Sequence, residues 1–190
     1  MSPRAGLSQD AVVDLALAVI DYEGMAGLTL AKVAERAGVA PPSLYKHVDG
    51  LPAVRRLANL RIINEMAEAL RTAVLGRSGS EAVSALLDAY RGYLRAHPHR
   101  APALEIPIDE RDEELVQALQ STAEAAFAVL RPYGFDPDQT VHATRALRAA
   151  VHGFASLEAA GGFGLPQRLD ESFEVLKSML VHGLSEYARE

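Results

Sequence analysis

The residues from Ala40 to His47 gather a hydroxyl, a phenol, an ammonium and an imidazole around one leucine: Ala40, Pro41, Pro42, Ser43, Leu44, Tyr45, Lys46, His47. If Leu44 and Val48 turn inward at helical spacing, Pro41, Pro42, Ser43, Tyr45, Lys46 and His47 are left outside. Such groups on a short helix suit the phosphates and base edges of a DNA groove. Elsewhere the chemistry is sparse. His97-Pro98-His99, with His142 and His152, does not define a metal coordination set, and neither cysteine nor a His-x-x-x-His pair supports one. Asp109, Glu110, Asp112, Glu113 and Glu114 form the densest charge cluster, but they lack the glycine and alternating ligands of a calcium loop and read as acids at a helix N-terminus. No catalytic serine motif, phosphate-binding glycine loop or acid–base carboxylate pair appears, so no enzyme, cofactor or metal is expected.

The outward groups need elements to hold them. In Leu28-Thr-Leu-Ala-Lys-Val-Ala-Glu-Arg-Ala-Gly38, Leu30, Val33, Ala34 and Ala37 fall at helical spacing, opposite Lys32, Glu35 and Arg36. Thr29 is placed to cap that helix and Gly38 to end it in the left-handed conformation. Ala34 is small enough to let a second helix cross closely. The pattern is a helix-turn-helix, whose second helix enters a major groove. Ser8 caps a bracing helix to about Glu23. After Asp49-Gly50, Pro52 suits the first turn of a long helix to about Leu75. Gly76-Arg77-Ser78-Gly79 reads as a linker. Helices follow from Ser80 to about His97 and from about Asp112 to Arg131, with an irregular stretch over 98–111. Asp136-Pro137-Asp138-Gln139 starts a helix to about Ala160, and Asp170 opens the last. The expectation is an all-α chain of about nine helices, with a helix-turn-helix head at 1–50, a connecting helix at 51–77 and a C-terminal domain at 78–190.

Composition bounds the partners. The chain has 190 residues, 49% of them hydrophobic, no cysteine and a formal charge of −6. Residues 1–77 carry 9 Lys/Arg against 8 Asp/Glu, and the remainder 10 against 17. A near-neutral head on an acidic body still binds phosphate where the local field allows, with modest non-specific affinity. No run of about 18 apolar residues and no hydrophobic signal core appear. A cytoplasmic protein with no membrane partner is expected.

The stretch LTLAKVAERAGV…SLYKHV, within the N-terminal 70 residues, closely resembles the tetracycline-repressor (TetR) family of bacterial transcription regulators. Ala150 to Glu158, AVHGFASLE, resembles the WHG-type ligand-binding domain of some members, with Ala150-Val151 in place of the naming tryptophan. The resemblance implies an all-helical homodimer that binds operator DNA and usually releases it when a small molecule enters the larger domain. It also implies phosphate contacts by Thr29, Tyr45 and His47, and places Ala40, Pro41, Pro42, Ser43 and Lys46 toward base edges or the adjacent backbone. Tyr45 and Ser43 can donate to phosphate oxygens, while Ala40 and the prolines suit thymine methyls. With no Arg, Asn or Gln on this helix, specificity leans on methyl contacts and DNA shape. Where many members have a phosphate-gripping lysine, this chain has Leu51-Pro52; Arg55 and Arg56 one turn later either compensate or form a solvated face.

These strands meet in one expectation: a ligand-responsive repressor, homodimeric on a palindromic double-stranded operator, with heads about 34 Å apart. Its effector is an unidentified small molecule in a pocket lined by Tyr90, Leu94, Phe127 and His152. His152 has either a core hydrogen bond or a ligand as its partner. Dimerisation is assigned to the last two long helices, through Val141, Thr144, Leu147, Val151 and Phe154 and the seam from Phe173 to Tyr187, unless both seams pack within one subunit. Induction would be a population shift in which helix 51–75 tilts. The alternative is a helical small-molecule binding protein whose DNA-binding head is weak or lost.

Overall fold

A computed structural model describes residues 7–107 and 109–189. Among them are seven α-helices and no strand: α1 (Gln9–Glu23), α2 (Leu30–Ala37), α3 (Gly50–Val74), α4 (Gly79–Ala96), α5 (Glu113–Leu130), α6 (Pro137–Ala159) and α7 (Leu169–Tyr187). Two longer 3-10 segments, Pro41–Lys46 and Pro98–Leu104, bring the helical elements to nine, with single 3-10 turns at Met25–Gly27 and Arg131–Tyr133 besides. The all-α expectation is met. Two compact units divide the chain, one running to Ile63 with His99–Pro107 added, the other comprising Asn64–Pro98 and the chain from Ile108.

In the first unit the caps do what their chemistry requires. Ser8 accepts from the Ala11 amide and Thr29 from the Lys32 amide, so each satisfies one orphan donor at a helix start. α1 buries Val12, Ala16, Val19 and Ile20 completely. Arg61 of α3 reaches Asp14 at 3.0 Å and Asp10 at 3.1 Å.

In the second unit α6 packs on α4, α5 and α7, and α4 on α5. Asp136 and Gln139 form the expected capping box at the start of α6: the Asp136 carboxylate accepts from the Gln139 amide at 2.8 Å, and the Asp136 amide donates to the Gln139 side chain at 3.0 Å. Two expected starts shift. Ser78, not Ser80, precedes α4, and α7 begins at Leu169 after Arg168 with no side-chain cap. Asp170 is instead drawn to arginines of α4.

The seams of α6 and α7 are buried in part. Leu147 and Val151 of α6, with Phe173 and Leu184 of α7, are buried within one protomer, because each helix covers the neighbours just named. The other seam residues, Val141, Thr144 and Phe154 of α6 and Leu176, Leu180 and Tyr187 of α7, are half-buried. The outward face carries different side chains: Val175 and Met179 on α7 are 53% and 67% exposed, and Leu157 on α6 is also exposed.

Candidate nucleic-acid interface and the polar core of the second unit

The Leu28–Val48 stretch is fixed from inside. Leu28, Val33 and Leu44 are fully buried and Ala34 and Val48 nearly so. Gly38 takes φ 66°, ψ 31°. Its amide reaches Glu35 and the Val39 amide reaches Ala34, both at 3.1 Å, so the last carbonyls of α2 are satisfied as the chain reverses. The second element is a 3-10 segment rather than an α-helix. Pro41 and Pro42 have no amide hydrogen to donate, and the first available donor, Ser43, closes three residues back on Ala40 at 2.9 Å. The His47 amide does the same on Leu44 at 2.9 Å. With three residues per turn, Pro42 stacks over Tyr45 and Ser43 over Lys46, while Pro41 sits over the inward Leu44.

Ala40, Pro41, Pro42, Tyr45 and Lys46 are exposed, and Ser43 and His47 half-buried. Tyr45, 61% exposed, is a large apolar ring held in water by a fixed backbone. Thr29 is exposed too, but its hydroxyl oxygen already accepts from Lys32. Its hydrogen is free of that bond, so capping and donation to a phosphate are compatible. Lys32 is committed elsewhere, to Glu23 and to the Gly27 carbonyl at 3.2 Å. Of the arginines at the start of α3, Arg55 is exposed and Arg56 half-buried.

The second unit brings together two of the four residues expected to line a pocket. The Tyr90 hydroxyl stands 3.0 Å from His152 Nδ1, with the rings edge to face, and Ser156 Oγ lies 3.3 Å from Nε2. With the phenol donating, Nε2 carries the proton and donates to Ser156, giving a three-group chain between α4 and α6. His152 thus has partners within the core. Leu94 is buried on the same face of α4 and Phe127 is half-buried on α5.

A larger polar cluster was missed by sequence reasoning. Arg91, 6% exposed on α4, grips Glu158 of α6 through Nε at 2.7 Å and Nη2 at 2.6 Å, and reaches Asp170 of α7 at 2.9 Å. Its guanidinium lies 4.6 Å from the Phe173 ring centre and 5.3 Å from that of Phe154. Hydrogen bonds to Glu158 hold its pKa above the ordinary arginine value. The signal was an arginine at a position where the stripe Val83, Leu87, Leu94 calls for an aliphatic residue. Lys177 of α7 similarly bonds Asp88 of α4 at 2.7 Å and Glu174 at 2.8 Å. Burial opposes its charge, and those two carboxylates outweigh burial and raise its pKa. Among the described residues no cluster of metal-ligating side chains occurs, and no helix is long and apolar enough to cross a membrane.

A helix-turn-helix with a buried anchor and a polar outer edge, joined to a helical second unit, defines the class of DNA-binding regulators. Residues 12–47 match the family described as bacterial regulatory proteins, tetR family, and residues 83–180 match the tetracyclin repressor-like C-terminal domain. The chain belongs to the TetR family of transcriptional regulators. It is similar to the uncharacterized HTH-type transcriptional regulator Rv0681 of Mycobacterium tuberculosis, 37% identical over 158 residues covering 83% of this chain and 72% of that one. It is also similar to YobS of Bacillus subtilis, another uncharacterized HTH-type regulator, 31% identical over 185 residues covering 97% and 96%. Its fold is shared by the TetR family protein ActR of Streptomyces coelicolor, solved in complex with (S)-DNPA, with a TM-score of 0.67, 21% identity, and 97% of this chain and 98% of that one covered. Regulation of transcription through DNA, rather than catalysis, is therefore the activity of this chain.

Proposed function

We propose that the chain is a cytoplasmic, ligand-responsive repressor that binds a palindromic operator as a homodimer. The observation that carries the DNA contact is the Pro41–Lys46 segment, anchored by the fully buried Leu44 while Tyr45 and Lys46 stand in solvent. Tyr45, His47 and Thr29 contact phosphates. Ala40, Pro41, Pro42, Ser43 and Lys46 face base edges or the neighbouring backbone. The outward Leu157, Val175 and Met179 support dimerisation through α6 and α7, since a second copy would remove them from water. The segments 1–50, 51–77 and 78–190 serve as head, connector and effector-binding and dimerisation domain.

ActR was crystallised with a small molecule, and that shared fold supports an effector here. Tyr90, Leu94, Phe127 and His152 are the lining we assign to it. The effector acts by preferring a conformation of low operator affinity, and a ligand that bound both conformations equally would leave transcription unchanged. Selection of bound fragments from genomic DNA by the full-length protein tests this reading and returns operator sequence and half-site spacing together. Tyr45→Phe with Lys46→Ala is expected to weaken binding to the selected fragment without unfolding the chain, and wild-type affinity to fall steeply with salt. A wild-type protein that retains no fragment, or binds without salt dependence, refutes the DNA contact. An effector that binds while operator affinity stays the same refutes induction.

A further inference from the structure

The helix-turn-helix shares its compact unit with a stretch that the chain reaches only after α4. Residues His99–Pro107 belong to that unit. The Pro98–Leu104 turn lies against the end of α1 through two adjacent side chains. Arg100, 5% exposed, clasps the Asp21 carboxylate with both edges of its fork, Nε on Oδ1 and Nη2 on Oδ2, each at 2.7 Å. His99 Nδ1 is 3.0 Å from the Asp21 backbone carbonyl, which can only accept, so the imidazole donates. α1 has no basic residue in its own last turn, although a helix C-terminus favours cations and donors for its unsatisfied carbonyls. Arg100 and His99 supply both from 79 and 78 residues away.

The path continues toward the DNA-facing edge. Two residues beyond Asp21, Glu23 pairs with Lys32 of α2, and the same ammonium reaches the Gly27 carbonyl. α2 then carries the Pro41–Lys46 segment across the Gly38 turn. The geometry assigns Arg100 as a positioning residue for operator recognition, fixing the end of α1 and, through Glu23 and Lys32, the attitude of α2 and the segment that faces DNA. Its burial keeps it from gripping a phosphate itself. The assignment rests on the DNA-facing role proposed above for residues 40–47.

The test uses the full-length protein and a duplex that wild-type protein selects from random-sequence DNA. The active fraction of each preparation is fixed by stoichiometric titration, so that unfolded protein is not counted as weak binding. Arg100→Gln is expected to lower the affinity of active protein about tenfold, as if a competent head were populated one time in ten. The slope of log Kd against log salt should stay unchanged, because no phosphate contact is removed. Arg100→Lys keeps the charge but not the bidentate geometry and should recover only part. The exchanged pair Asp21→Arg with Arg100→Asp should recover most of it. Unchanged affinity in the active fraction overturns the assignment by reducing Arg100 to scaffolding, and a slope smaller by about one contact overturns it by making Arg100 a phosphate grip. If Arg100→Gln fails to fold, Arg100→Lys and Asp21→Asn are judged by the same two criteria. A wild-type protein that selects no duplex overturns both the assignment and the DNA contact, whereas binding by wild type with indifferent variants overturns the assignment alone.

Discussion

Replacing Arg91 by methionine removes the cation from a cluster that joins three helices. The partners are unequal. Glu158, with its side chain 14% exposed, takes two hydrogen bonds from the guanidinium, whereas Asp170 is 58% exposed and remains well hydrated without them. Losing one member of a buried pair costs about 3–5 kcal/mol, because the other charge is left desolvated; the exposed partner adds about 0–1 kcal/mol. Arg95, 3.9 Å from Glu158, can take up part of that carboxylate. Methionine keeps contact with Phe154 and Phe173 while losing the cation–π attraction. The balance is a loss of about 3 kcal/mol. Glu158→Leu in the Arg91→Met background removes the stranded charge and should return the chain to within about 1 kcal/mol of wild type. Urea unfolding at a fixed protomer concentration reads both variants, with a lower midpoint and an unchanged slope expected for the single substitution. A single-variant loss below about 1 kcal/mol would mean that the pair behaves as if solvated. A double variant no better than the sum of its singles would mean that the two residues are not coupled. Either result refutes the reasoning.

Gly38→Ala forces a side chain into left-handed backbone, although its Cβ would meet nothing within 4 Å; a loss of about 1 kcal/mol in thermal or urea unfolding is expected, and no loss would argue against that turn. Val175→Glu with Met179→Glu places charge on the outward face of α7 and should shift the protein toward monomer in sedimentation velocity, while an unchanged oligomer would move the interface elsewhere. Tyr133, stacked on Phe135, has its pKa raised by desolvation, which favours the neutral phenol in the folded chain. Its contribution to stability is present below the ordinary tyrosine pKa and lost as pH rises through the folded value. Tyr133→Phe should therefore remove a component that titrates above the ordinary tyrosine range from the alkaline absorbance titration.

What the sequence made legible was local. Ser8, Thr29 and Asp136 bond within three residues of themselves, and Gly38 needs only its own backbone angles, so residue type and spacing suffice. The tight winding of 41–46 was equally local but depended on counting donors: two prolines remove the amides from which an α-helical start would be built. The seams of α6 and α7 announced an apolar stripe without saying which neighbour covers it; Leu147, Val151, Phe173 and Leu184 are covered within the same protomer, while the rest of each stripe is half-buried. Arg91–Glu158 and Arg100–Asp21 join residues 67 and 79 positions apart. A charged residue reads as surface until its distant partner is known, so Arg91 was marked only by its place on an apolar stripe and Arg100 had no local signature.

In the Leu28–Val48 stretch, the buried anchors and the exposed side chains proposed above to meet DNA are largely separate sets, with Thr29, which caps α2, in both roles. Leu28, Val33, Leu44 and Val48 are buried, while Ala40, Tyr45 and Lys46 are exposed and tie down none of these anchors. Surface substitutions of this sort typically change stability by less than about 0.5 kcal/mol. The outer positions are thus free to drift between duplicated copies of the gene, and a new operator preference can arise by exchanging a few residues without a compensating change in the core.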